Sequence, residues 1–209
     1  VAVPPTAGTG SEPQSFALIS DEKTHAKMAC GDRRAAFRIA ILDPQLTLTQ
    51  PERVAALTGI DAIAHAVETA VTTRRNSIST AFSRQAWRYL MHGFPEIHDQ
   101  GDNLAARESM QLGACFSGLA IENSMLGAAH ALANPLTANF GIAHGEAVGM
   151  MLPHVVRFNA ERDASARMAY RYLIATADPT GDDQLERPGD ALANLLSRLL
   201  RQGKLATCL

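Results

Sequence analysis

The chain has 209 residues, of which 46% are hydrophobic and 19% charged, and its formal net charge is −2. This length and apolar content suffice for a sizeable core and exclude wholesale disorder, while the near-neutral charge argues against a nucleic-acid binder. No apolar run reaches the roughly 18 residues that a membrane-spanning helix needs.

The cysteines and the chain ends indicate the cellular compartment and the extent of the chain. The three cysteines are widely spaced and form no CxxC pair. This excludes a disulfide framework and indicates a reducing compartment, so we predict a cytoplasmic protein. The chain begins with Val1 and shows no signal-peptide pattern. We interpret both ends as cuts in a longer protein, or as the edges of what was sequenced.

Residues 1–45 are rich in strand and turn signals. Strands are predicted at 15–20, before a polar turn at 21–23, and at 37–42, where Asp43 and Pro44 end the apolar run. A shorter apolar run, at 1–3, is stopped by two prolines. This part of the chain is expected to form a few strands at the edge of a sheet.

From about Thr49 the chain becomes helical. Thr49 is a candidate N-cap before Pro51, and Gly59 suits a helix end. Apolar residues at helical spacing predict further helices over 61–71, 77–92, 103–120, 122–132, 144–159, 163–176 and 190–201. Gly93 and Pro135 are predicted to stop two of these helices. The sequence contains no internal repeat, so we expect a helical array.

Three of these apolar segments carry isolated polar side chains. Asp61 and His65 are four residues apart and share a helix face, His130 lies among Ala and Leu, and His144 lies where a loop becomes a helix. Taken singly, each is more simply a hydrogen-bonded core residue. Together, one carboxylate and three imidazoles suit a divalent transition metal such as Fe²⁺ or Zn²⁺, a Lewis acid toward an alcohol or carbonyl oxygen.

A fourth segment, residues 4–12, reads Pro-Pro-Thr-Ala-Gly-Thr-Gly-Ser-Glu. Its small residues would let backbone N–H groups approach an anion, and its hydroxyl groups can donate hydrogen bonds. It matches neither the GxGxxG fingerprint nor a Walker loop. Taken alone, a plain turn is the commoner explanation.

In order and spacing, these segments resemble the iron-containing (group III) alcohol dehydrogenase family. The corresponding stretches are 5–12, 43–46, 59–68, 127–130 and 143–154. The resemblance implies a mainly α chain with a dehydroquinate synthase-like fold. Residues 46–209 would be the all-helical metal-binding catalytic domain, and residues 1–45 the trailing strands of an α/β nucleotide-binding domain. Most of that second domain would lie outside this chain.

The resemblance also implies a reaction, a hydride transfer between an alcohol or aldehyde and NAD or NADP. It assigns metal ligation to Asp61, His65, His130 and His144. It assigns nucleotide contacts to Thr6, Gly8, Thr9, Ser11, Phe16 and Lys27. It assigns catalytic roles to His130 and to Asn134, which replaces a second histidine of many members and can hydrogen-bond the substrate. Glu68 and His154 are interpreted as packing or outer residues of the site.

Two alternatives stay open. One is a metal- and NAD-dependent lyase resembling dehydroquinate synthase, but such enzymes typically lack the Asp-x-x-x-His pair that Asp61 and His65 form here. The other is a non-catalytic helical remnant, since the family's glycine-rich pyrophosphate turn is absent from these 209 residues. For that reason we expect this chain alone to bind nucleotide weakly or not at all. The predicted partners exclude nucleic acid and membranes, and formation of a homo-oligomer stays open.

Overall fold

The computed structural model describes residues 1–22, 27–177 and 186–208. Within this part the helices are α1 (Glu52–Thr69), α2 (Ser77–Asp99), α3 (Leu104–Ser124), α4 (Ala128–Phe140), α5 (His144–Arg162), α6 (Ala164–Ala177) and α7 (Pro188–Gln202). Strands β1 (Phe16–Ser20) and β2 (Lys27–Gly31) pair antiparallel. The predicted mainly α architecture is confirmed. No helix among the described residues is long and apolar enough to cross a membrane.

The N-terminal part forms less sheet than the sequence predicts. Segment 37–42 makes one isolated parallel bridge, between Ala2 and Ala40, in the described part of the chain, so the predicted strand there is wrong. The segment that pairs with it, around Ala2, is short because Pro4 follows two residues later and has no N–H to donate to a ladder. Strand β2 was not predicted, since its sequence Lys-Met-Ala-Cys-Gly lacks a clear alternation of polar and apolar residues.

Helix α1 runs through Gly59 without a break, so the helix end predicted there is wrong. A Cβ atom added to Gly59 would lie 2.7 Å from Phe94 Cδ2 and 2.9 Å from Met110 Cε. The missing side chain therefore lets α1 pack closely against α2 and α3. The helix also starts later than predicted, because Pro51 and not Thr49 precedes its first residue.

Two further predicted helix ends are wrong. Helix α2 continues past Gly93, where an added Cβ would lie 2.8 Å from the carbonyl oxygen of Ala106. Helix α4 continues through Pro135, at the cost of one backbone hydrogen bond. The chain breaks earlier instead, at Met125, which has a φ of 62°. This break makes His130 the third residue of α4.

The hydrophobic core surrounds helix α1. Nearly all of α1 from Ala55 onward is buried, and the helix packs against α2, α3 and α5. The largest fully buried side chains are Trp87 and Phe94 of α2 and Tyr170 of α6. Because this part of α1 lies at the centre, its polar side chains Asp61, His65, Glu68 and Thr69 are buried as well.

We expect Gly59→Ala to lower the free energy of unfolding by about 1–3 kcal/mol, since the added methyl group overpacks the contact with Phe94. Gly101→Ala is the matched control, because its Cβ would have no neighbour closer than 3.7 Å. That variant should change the unfolding free energy by less than about 0.5 kcal/mol. Urea unfolding followed by circular dichroism measures both, and equal midpoints would contradict the close packing of α1.

Candidate metal centre and cleft

Helix α1 contributes two side chains to a polar cluster. Asp61 and His65 lie one turn apart on the same face, with 3.6 Å between Asp61 Oδ1 and His65 Nε2. They are only 6% and 4% exposed. Their burial follows from the central position of α1, whose other residues in this stretch are apolar. Such groups are costly to bury unless they are paired or bind an ion.

His130 of α4 and His144, the first residue of α5, complete this cluster. His130 Nε2 lies 3.3 Å and His144 Nε2 lies 3.8 Å from the same Asp61 Oδ1 atom. The His65 and His130 rings stack with centroids 4.8 Å apart, and His144 meets His130 edge-on at 5.5 Å. The structure therefore brings together the four residues that the resemblance assigns to the metal, with three imidazole Nε2 atoms converging on one carboxylate oxygen.

The protonation states of this cluster follow from burial and from the mutual contacts. Burial alone would raise the pKa of Asp61, but the three imidazoles hold it below the usual range. Burial lowers the pKa of His65 to about 4. Burial also opposes the charged form of His130, but hydrogen bonds with Asp61 and Glu68 raise its pKa to about 9. At neutral pH and without an ion, the cluster thus contains an ionised Asp61, a neutral His65 and a charged His130. Asp61 and His65 are in the forms that ligate metals, whereas His130 must release a proton when it binds one.

The donor set fits a divalent transition metal. Carboxylate and imidazole are the ligands that Fe²⁺ and Zn²⁺ take in proteins. The ligand atoms of Asp61, His65 and His130 all lie within 4.8 Å of one another, and all three residues are buried. His65 Nδ1 is buried without a hydrogen-bond partner among the described residues, so no hydrogen bond in that part of the chain fixes which ring nitrogen carries the proton.

Glu68 contacts the cluster through the ring nitrogen of His130 that faces away from Asp61. It lies two turns after Asp61 on α1 and is 2% exposed. Its Oε1 accepts a hydrogen bond from the Ala129 N–H at 2.6 Å, and its Oε2 contacts His130 Nδ1. Burial would raise the pKa of Glu68, but the contact with His130 lowers it below the usual value. The sequence analysis interpreted both Glu68 and His154 as packing or outer residues of the site. Glu68 contacts the cluster, whereas His154 is exposed.

The N-terminal loop, residues 4–15, lies against helices α1 and α3. Gly8 approaches α1 so closely that an added Cβ would lie 2.4 Å from Thr58 Cβ. Gly10 has a φ of +57°, and an added Cβ there would lie 2.9 Å from Gly118 Cα on α3. In this loop the glycines therefore permit close contact between the loop backbone and two helices.

Hydrogen bonds hold both ends of the N-terminal loop on α3. Gln111 Nε2 donates to the carbonyl oxygen of Pro4 at 3.1 Å. At the other end, Ser15 donates from its N–H to Glu122 Oε2 at 2.9 Å and from its hydroxyl to Glu122 Oε1 at 2.7 Å. The sequence analysis did not single out Gln111 or Glu122, because each lies 107 positions along the chain from the loop residue that it contacts.

A cleft of about 630 Å³ lies between the N-terminal loop and the cluster. The loop and the segment after it contribute Thr9, Ser11, Phe16 and Phe37, and the helices contribute Ile121, Leu126, Asp61, His65, His130 and His144. Three of the residues predicted to contact nucleotide therefore share one cleft with the four predicted metal ligands. Phe37, Ile121 and Leu126 were missed, because nothing in the local pattern separates them from ordinary apolar residues.

The remaining predicted site residues lie elsewhere. Thr6 is half-buried and Gly8 is buried against α1, and neither lines the cleft as the described residues form it. Lys27 begins β2, but its side chain lies outside the described part of the structure. Asn134 is exposed one turn beyond His130 on α4 and is also absent from the described cleft lining. Their proposed roles stay predictions.

Comparison with known proteins gives one consistent result. The model of the Fe-containing alcohol dehydrogenase family, C-terminal, matches residues 55–208. Aldehyde-alcohol dehydrogenase 2 of Entamoeba histolytica is 35% identical over 85% of this chain and 20% of its own length. NADPH-dependent butanol dehydrogenase of Clostridium saccharobutylicum is 31% identical over 100% of this chain and 52% of its own length. The chain thus spans about a fifth of the length of the aldehyde-alcohol dehydrogenase and about half of the length of the butanol dehydrogenase.

A solved structure shares the fold. The alcohol dehydrogenase from Oenococcus oeni superposes with a TM-score of 0.90 at 29% identity, over 99% of this chain and 53% of that one. The helical architecture described above is therefore the one found in part of that enzyme. This confirms the predicted fold class.

Proposed function

This chain belongs to the Fe-containing alcohol dehydrogenase family, and from that premise we propose that Asp61, His65, His130 and His144 hold one divalent ion, Fe²⁺ or Zn²⁺. The cleft beside them would be where an alcohol is oxidised or an aldehyde reduced. The observation that carries the proposal is the convergence of three Nε2 atoms on Asp61 Oδ1, at 3.3 to 3.8 Å. Bound there, the ion would supply Lewis acidity toward an alcohol or carbonyl oxygen.

The lining of the cleft supports an uncharged substrate that has an apolar part. Ile121 and Leu126 give it apolar walls beside the cluster, and no Lys or Arg lines it within the described part of the chain. Such walls suit the alkyl part of an alcohol and exclude water around it. His144 is the most exposed of the four proposed ligands, at 25% of its side chain, so substrate would approach the centre past this residue.

NAD or NADP is the proposed hydride partner. Thr9 and Ser11 place hydroxyl groups on the cleft wall formed by the N-terminal loop, where Ser11 Oγ donates to Thr9 Oγ1 at 3.1 Å. Hydroxyls in this position can bind phosphate or amide oxygens, and the Phe16 ring can contact a flat heterocycle. The coenzyme supplies the redox chemistry and the protein supplies its position. Since the chain spans about half of the butanol dehydrogenase, we expect this chain alone to bind the nucleotide weakly.

A titration with Co²⁺ tests this proposal without the nucleotide, because the visible spectrum of Co²⁺ reports its ligands. The chain should bind one Co²⁺ ion, and adding butan-1-ol or butanal should change the spectrum, since the ion would face the cleft. His65→Ala should abolish the spectrum. His154→Ala, which removes an exposed histidine of α5, should leave it unchanged. Failure of the unaltered chain to bind Co²⁺, or a spectrum that no alcohol or aldehyde alters, would contradict the proposed function.

A further inference from the structure

We propose that Glu68 is a positioning residue that determines which ring nitrogen of His130 faces the metal centre. The inference rests on the proposed function, because His130 is one of the proposed ligands. A ligating histidine is commonly oriented by an acceptor on its other ring nitrogen. In this chain the acceptor comes from α1, the helix that also contributes Asp61 and His65.

The two oxygens of the Glu68 carboxylate have different partners. Oε1 accepts from the Ala129 N–H at 2.6 Å and lies 3.4 Å from the backbone nitrogen of His130. Oε2 contacts His130 Nδ1. The carboxylate therefore binds the backbone and the side chain of the first turn of α4 at once, which fixes both the position of the helix end and the orientation of the ring.

Helix α4 lacks an N-cap side chain of its own, and Glu68 supplies the missing acceptor. The N-cap residue is Gly127, which makes no side-chain cap hydrogen bond. A Cβ atom on Gly127 would lie 3.0 Å from Glu68 Oε1, so glycine leaves the room that the carboxylate occupies. A negative charge at this position also interacts favourably with the positive end of the helix dipole.

The contact fixes the location of one proton on His130. An ionised carboxylate can only accept hydrogen bonds, so Nδ1 must carry a hydrogen whether the ring is neutral or charged. The other nitrogen, Nε2, then points toward Asp61 Oδ1 at 3.3 Å and offers its lone pair once an ion binds. Glu68 is 2% exposed, so water does not compete for Nδ1.

Glutamine cannot replace the carboxylate in this position, although it has the same size. If the amide oxygen accepts from Ala129, the amide NH₂ group faces Nδ1, which must then be an acceptor. The ring proton moves to Nε2 and points at the metal position. If the amide is reversed, its NH₂ group faces the buried Ala129 N–H, and two donors are left without an acceptor.

The test compares Glu68→Gln with Glu122→Gln. Glu122 is the matched control, because its carboxylate also accepts from one backbone N–H and one side chain, both of Ser15, and contacts none of the four proposed ligands in the described structure. Zn²⁺ affinity is measured by competition with a chelator. Glu68→Gln should weaken it by about 10–100-fold, and Glu122→Gln by less than about threefold.

A second measurement does not depend on the metal. In ¹⁵N NMR spectra of the metal-free chain, His130 should show an Nδ1-bound proton that exchanges slowly with water, and Glu68→Gln should lack it. An unaltered affinity in Glu68→Gln, or no Nδ1-bound proton in the unaltered chain, would overturn the proposal. If the unaltered chain showed the Nδ1 proton yet bound no metal, the proposed function would fail while the role of Glu68 in orienting His130 would stand. If Glu68→Gln did not fold, the spectrum of the unaltered chain would decide.

Discussion

Asp61→Asn should bind Zn²⁺ at least about 100-fold more weakly than the unaltered chain in a competition titration with a chelator. Loss of an outer partner of a ligand typically costs 10–100-fold in metal affinity, and loss of a ligand itself should cost more. Asp61 is the only carboxylate of the proposed set, and its Oδ1 lies within 3.8 Å of all three imidazole Nε2 atoms.

The substitution keeps the shape of the side chain and removes its charge. The amide oxygen of the introduced asparagine would be a weaker ligand than a carboxylate oxygen, and its amide NH₂ group would repel a cation. Asp102→Asn is the matched control, because Asp102 is exposed in the turn before α3 and should leave the affinity unchanged. An Asp61→Asn variant that folds and retains the unaltered affinity would remove Asp61 from the site.

Trp87→Ala should lower the free energy of unfolding by about 3–5 kcal/mol. Trp87 is fully buried, and its Nε1–H donates to the carbonyl oxygen of Leu173 at 2.9 Å. The side chain therefore joins α2 to α6 through both apolar contact and a hydrogen bond. Trp87→Phe keeps most of the apolar contact and loses the hydrogen bond, so its cost should be smaller, about 1–2 kcal/mol.

Urea unfolding followed by far-ultraviolet circular dichroism measures both variants. Fluorescence is unsuitable, because Trp87 is the single tryptophan of the chain. A cost below about 1 kcal/mol for Trp87→Ala, or an equal cost for the two variants, would contradict the packing of α2 against α6.

The helices were predictable from the sequence, but several of their ends were not. Apolar spacing located the helical segments, since a buried helix face repeats with the helical period. Glycine at 59 and 93 suggested helix ends, whereas each instead permits close packing between two helices. Local sequence does not distinguish these uses, because the atoms that approach Gly59 belong to Phe94 and Met110, far along the chain.

The site was predictable in part. The spacing of Asp61 and His65 places them on one helix face from geometry alone. His130 and His144 joined the set as isolated polar residues of apolar segments, and the resemblance then assigned all four residues to the metal. The contact between Glu68 and His130 joins residues 62 positions apart, which no periodicity reveals. The position of the N-terminal loop on α3 depends on the close approach of Gly10 to Gly118. This contact too is visible only in the folded chain.

The most direct test of the metal centre is X-ray absorption at the zinc edge, measured on the Zn²⁺-loaded chain. We predict a first shell of nitrogen and oxygen atoms at about 2.0–2.2 Å, with outer-shell scattering from three imidazole rings. In Asp61→Asn at the same zinc concentration, fewer sites should be filled, so the scattering from imidazole rings should be weaker. A first shell that contains sulfur, or a spectrum without imidazole scattering, would contradict ligation by His65, His130 and His144.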